Sequence, residues 1–119
     1  MNTPTKPLAE TGIDLRKLKP GMVILLEADP NLYEMRITHP AHGIAEISSN
    51  DPALRTPTVG QVLHSVHWSS PAAILPLWIG KGFALEIRFR NRTYRTQPVT
   101  AASVGGTRED GSRWSYEVF

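Results

Sequence analysis

The longest regular alternation in the chain runs from Phe83 to Phe89, where Phe83, Leu85, Ile87 and Phe89 are separated by Ala84, Glu86 and Arg88. Successive side chains of a strand point to opposite faces, so this period of two predicts a half-buried strand. Arg90-Asn91-Arg92 follows as a turn, because Asn tolerates positive φ better than other non-glycine residues. Thr93 to Thr96 then returns as β-branched and aromatic residues, before Pro98 limits further pairing. The apolar face of this hairpin needs other strands to cover it.

The same pattern recurs upstream. Met22 to Ala28 is apolar on both faces until Glu27, which predicts a strand covered by neighbours on each side. After the Asp29-Pro30-Asn31 turn, Tyr33, Met35 and Ile37 alternate with Glu34, Arg36 and Thr38, and the two segments form an expected antiparallel hairpin. His39 to Gly43 breaks the strand and Ile44 to Ser49 resumes it. Asn50 to Pro57 reads as a polar loop with Arg55 near its tip. Val59 to Val66 is strand-like with two phases open. Val59 and Leu63 define one face; Val62 and Val66 define the other, and burying the second carries His64 inside.

The remaining segments are less regular or shorter. Trp68 to Gly82 has two readings: a helical turn from Ser70-Pro71 through Leu75, ended by Pro76, or an edge strand over Ile74–Ile79 leading into a Gly80-Lys81-Gly82 turn. Ile13 to Leu18 is a helical turn or an edge segment, with Asp14 placed as an N-cap. Near the C-terminus, Thr100 to Val104 is extended, and Arg113 to Phe119 puts Trp114, Tyr116 and Val118 on one face. Met1 to Gly12 is polar and aperiodic, and reads as a flexible tail.

These elements amount to six to eight short strands about ten residues apart, joined by turn residues. The prediction is an all-β fold: one domain over residues 13–119, forming a small antiparallel barrel or sandwich. The ten prolines and nine glycines suit it. No cysteine is present, which excludes disulfides, thiolate metal sites and a cysteine nucleophile. No run approaches the roughly 20 apolar residues of a membrane helix, and the N-terminal residues lack the apolar core of a signal peptide. The expectation is a cytoplasmic protein with no membrane partner.

Charge changes the picture in one place. The net charge is +2, but residues 1–80 carry six Lys/Arg against seven Asp/Glu, whereas residues 81–119 carry seven against four. Arg88, Arg90, Arg92 and Arg95 fall around the hairpin turn, and Lys81 precedes the strand. Grouped guanidinium ions bind phosphate through a planar donor fork, which makes these five residues the candidate ligand site for nucleic acid or another polyanion. The competing structural role is a charged edge that blocks strand-to-strand association. Glu86 and Glu117 are placed to dilute the patch, and no aromatic ladder alternates with the arginines as a stacking platform.

Two further features complete the inventory. Trp68 and Trp78 lie in an apolar, proline-broken segment, read either as core or as contacts to a protein partner or a second copy. The pairs His39/His42 and His64/His67 invite a metal, with Glu34 or Glu46 completing the site. Residues three apart on a straight strand point to opposite faces, however, so no metal or cofactor is expected. No diagnostic spacing surrounds Ser48, Ser49 or Ser65. The sequence therefore predicts a non-catalytic binding or adaptor module. The alternative is a small metal-dependent enzyme using the histidines.

Overall fold

The computed structural model describes residues 12–67 and 70–119. Among these residues, eleven strands follow in chain order: β1 (Gly12–Asp14), β2 (Val23–Ala28), β3 (Asn31–His39), β4 (Ile44–Ser49), β5 (Thr58–His67), β6 (Ser70–Pro76), β7 (Trp78–Gly80), β8 (Phe83–Phe89), β9 (Arg92–Arg95), β10 (Ala101–Thr107) and β11 (Arg113–Glu117). Three single-turn 3-10 segments lie at Leu15–Lys17, Pro40–His42 and Pro52–Leu54. The protein is all-β with two antiparallel sheets. β1 pairs with β7, and the larger sheet runs β11-β10-β2-β3-β4-β5-β8-β9, with β6 on β5. β4 and β6 share one edge of β5, and β8 occupies the other.

Alternation decides which side of each strand is buried. Ile24 and Leu26 on β2, Tyr33, Met35 and Ile37 on β3, Ala45 and Ile47 on β4, and Leu85 and Ile87 on β8 enter one core. Ile13 and Ile79 from the small sheet join it, as do Leu15, Leu54 and Val99 from the connections. The larger sheet does not close through strand pairing, but a strap over 96–100 reaches both of its parts. Thr96 and Val99 donate to Leu85 and Phe83 on β8, at 2.9 Å each, and Thr100 donates to Glu27 on β2 at 2.8 Å.

The turns follow their residues. Arg90 and Asn91 both have positive φ, 51° and 62°, and join Phe89 to Arg92 across a two-residue loop. This is the geometry that matches the twist of the flanking strands, and the hairpin is one residue tighter than the sequence suggests. Asp14 caps the first 3-10 turn, its carboxylate accepting from Arg16 N at 3.0 Å, so the opening segment is an edge strand followed by a helical turn. Gly12 already belongs to β1; the rest of the expected tail lies outside the described residues.

Three expectations need correction. β2 is not covered on both faces, because Leu25 is 50% exposed. The helical reading of Ser70 to Leu75 fails: the segment is strand β6, and Leu77, at φ 51°, separates it from β7. The phase of β5 changes within the strand. Val62 pairs with Ile87 and His64 with Glu86, so Leu63 is an extra residue on β5. This bulge buries Val62 while turning His64 outward.

Candidate functional site

The β8–β9 hairpin carries the predicted arginines, and pairing sorts them. Arg88 lies on the outer side of β8, opposite Thr93. Arg92 lies opposite Phe89, on the other side of the ribbon, and Arg90 occupies the turn. All three are exposed and have no ion pair among the described residues. They therefore surround the hairpin tip.

Arg95 is engaged differently. It lies opposite Glu86, and its Nε donates to Glu86 Oε2 at 2.8 Å. The other carboxylate oxygen is 2.7 Å from His64 Nε2. Burial works against the charged form of Glu86, but the hydrogen bonds from Arg95 and His64 outweigh it and hold the carboxyl below its ordinary range. A carboxylate only accepts, so Nε2 of His64 must be the donor. The row His64–Glu86–Arg95 thus compensates its own charges across three strands. The possible dilution of the basic patch falls on Arg95.

Lys81 is not brought to this cluster. It sits in the turn before Phe83, whereas the arginines surround the far end of β8, about 20 Å away at the ordinary rise of a strand. Trp78 is packed rather than displayed: a Cβ on Gly12 would lie 2.0 Å from its ring, and one on Gly80 would lie 2.7 Å from Nε1. The indole covers the backbone of both small-sheet strands, and its N–H is buried with no partner among the described residues. Trp68 lies outside the described residues.

Of the residues considered for hydrolytic or metal chemistry, Ser65, Ser49 and His39 are engaged at separate places, and the His67 side chain lies outside what is described. Ser65 is buried and donates to the carbonyl of Trp78, on the side away from His64. Ser49 donates to the Leu32 carbonyl at 2.6 Å. His39 contacts the neighbouring Thr38. Among the described residues, no three His, Asp or Glu side chains gather to hold a metal ion.

Two polar features were not legible beforehand. Tyr33 on β3 and Tyr94 on β9 meet across the interior with their hydroxyls 2.7 Å apart, and Tyr94 donates a short hydrogen bond to Asp51. The Tyr94 proton is spent on Asp51, so Tyr33 donates to the Tyr94 oxygen. Burial, followed by the bonds to Asp51 and Tyr33, pushes the Tyr94 phenol far above its ordinary pKa. Tyr94 is therefore a fixed donor and not a base. The bonds from Tyr94 and the Ala53 amide lower Asp51.

The second feature is a groove of about 620 Å³ over the outer face of β10, β2 and β3. Leu25 and Leu32 stand exposed in it, 50% and 57%, among Glu27, Glu34 and Glu117. The apolar run of β2 concealed it, because Leu25 reads as core when its strand is assumed to be covered twice. Comparison of the chain with protein-family models, with curated proteins and with solved structures finds no match.

Proposed function

We propose that this chain is a non-catalytic binding module built on a partly open β-barrel, and that it contacts a phosphate polymer through Arg88, Arg90 and Arg92. The barrel reading is supported by the 96–100 strap, whose hydrogen bonds reach β8 on one side and β2 on the other. The binding reading rests on one observation: three exposed arginines surround a projecting two-residue turn with no acidic partner among the described residues, while their neighbour Arg95 is neutralised by Glu86. Guanidinium groups on both sides of a ribbon tip suit a backbone that passes over it, and small open barrels commonly bind oligonucleotides on an outer surface. Lys81 and Arg95 are not part of this contact.

Titration of labelled single- and double-stranded DNA and RNA across salt concentrations tests the proposal. Three phosphate contacts predict a log–log slope of about −2 to −3. Reversing Arg88 and Arg90 to Glu flattens it and leaves folding nearly unchanged, since both side chains are solvated. No binding at the lowest salt would end the polyanion reading. Self-association of an Arg88→Thr, Arg90→Thr variant would then assign the arginines to guarding an edge.

A further inference from the structure

We propose that the groove over β10, β2 and β3 binds an extended peptide segment of a partner protein, one that alternates apolar and basic side chains on the face it presents. Leu25 lies opposite Glu34, and Glu27 opposite Leu32. All four side chains point away from the core, because Ile24, Leu26, Tyr33 and Met35 occupy the inner positions. The outer surface is thus a checkerboard of two leucines and two glutamates, with Leu and Glu alternating along each strand.

The two strand glutamates of this sheet outside the groove each face an arginine. Glu86 lies opposite Arg95 and binds it, and Arg36 lies opposite Glu46. Opposite charges across a strand pair stabilise a sheet, whereas a carboxylate facing a leucine has no such partner. Glu27 and Glu34 form no ion pair among the described residues, and neither does Glu117, which lines the same groove three strands from Glu34. Only Arg55 among the lining residues opposes these three carboxylates. Half-exposed leucines between unpaired carboxylates are what a complementary ligand would cover and neutralise.

The spacing selects the ligand's form. Outer residues along one strand recur at about 6.8 Å, as do the residues on one face of any other extended chain. A strand laid over β2 or β3 therefore sets two alternate residues over one Leu and one Glu, Leu25 and Glu27 or Leu32 and Glu34, and those two residues are matched by an apolar and a basic side chain. The whole chain carries +2, so general electrostatics repel a cationic peptide. Attraction must come from the groove itself.

Fluorescence anisotropy with the labelled peptide Leu-Ser-Lys-Ser-Leu-Ser-Lys tests this on the full chain, with Leu→Ser and Lys→Glu versions as controls. Saturable binding is expected for the first peptide only, weakening as salt rises. The E27K/E34K variant should bind it about tenfold more weakly, as expected when two partly exposed ion pairs become repulsions, and should now take up the Lys→Glu version. L25S/L32S should weaken both, and R88E/R90E should change neither. Circular dichroism and thermal unfolding accompany each variant, and the two groove variants provide independent readings should one unfold. The proposal is overturned if the wild type shows no saturable binding, if the Leu→Ser peptide binds equally well, or if both groove variants bind as the wild type does. It is also overturned if the wild type sediments as an oligomer that both groove variants return to monomer, since a second copy then occupies the face.

Discussion

Removing the Tyr94 hydroxyl tests whether the chain Tyr33–Tyr94–Asp51 fastens the β8–β9 hairpin to the opposite side of the fold. Tyr94 is half-buried and Tyr33 is 3% exposed. The substitution Tyr94→Phe keeps the ring, which packs edge-on against Tyr33 with centroids 6.2 Å apart. It removes one charge-assisted bond to Asp51 and leaves the Tyr33 hydroxyl without its acceptor. A bond to a charged group contributes about 1.5–3 kcal/mol, so the expected loss is about 2 kcal/mol. Tyr33→Phe removes only a neutral bond and leaves Tyr94 donating to Asp51, so it should cost less, about 1 kcal/mol. The sign of the pH dependence follows from Asp51, whose folded pKa is lowered, first by the Tyr94 hydroxyl and then by the Ala53 amide. That contribution is present above the unfolded carboxyl pKa and is lost as pH falls through the folded value. Urea unfolding at neutral pH and over the acid range should therefore show Tyr94→Phe as the weaker protein at pH 7. Its deficit should narrow as the pH approaches the folded Asp51 pKa. A loss under about half a kcal/mol at neutral pH, the range of an ordinary surface substitution, would refute the fastening role. So would a Tyr33→Phe variant weaker than Tyr94→Phe.

Two other substitutions probe packing. Ile87 is fully buried between Val62 and Tyr94 on the neighbouring strands, and Ile87→Ala should lose about 2–5 kcal/mol in chemical denaturation, as buried truncations do. Gly12→Ala drives a Cβ into the Trp78 ring, so it should cost about 1–3 kcal/mol and shift the tryptophan emission; unchanged emission with unchanged stability would mean the indole is free to move.

What the sequence made legible was what periodicity can carry. Tyr33, Met35 and Ile37 alternate with charged or hydroxyl residues, and so do Leu85 and Ile87, so their inward direction and the all-β class followed from side-chain chemistry alone. Leu25 shows the limit of the same signal. It lies in a run of apolar residues, and a run does not say which face has a neighbour. Only the register of β2 against β3 and β10 shows that its outer side is open and ringed with glutamates. Asp51 and Tyr94 are 43 residues apart, and no local pattern connects a turn aspartate to a strand tyrosine. The groove and the interior polar chain both arise from such long-range placement.

The bulge at Leu63 has consequences well beyond its size. Had β5 kept one phase from Val62 to Val66, His64 would share the buried face of Val62. An imidazole would then need a partner inside an apolar core, because burying an unpaired polar group is costly. One inserted residue sends His64 to the outer row opposite Glu86 instead, where it takes the carboxylate oxygen that Arg95 leaves free. Glu86 is then bonded through both of its oxygens. It has no free oxygen aimed at Arg88, its neighbour two positions along the same face of β8, while Arg95 stays committed to it. The boundary of the basic tip, which includes Arg88, Arg90 and Arg92 and excludes Arg95, follows from the β8–β9 register that sets Arg95 opposite Glu86, and the bulge on β5 adds His64 to the same carboxylate. Charge spacing along β8 and β9 sets Glu86 among the arginines, but only the register of the two strands decides which of them it holds.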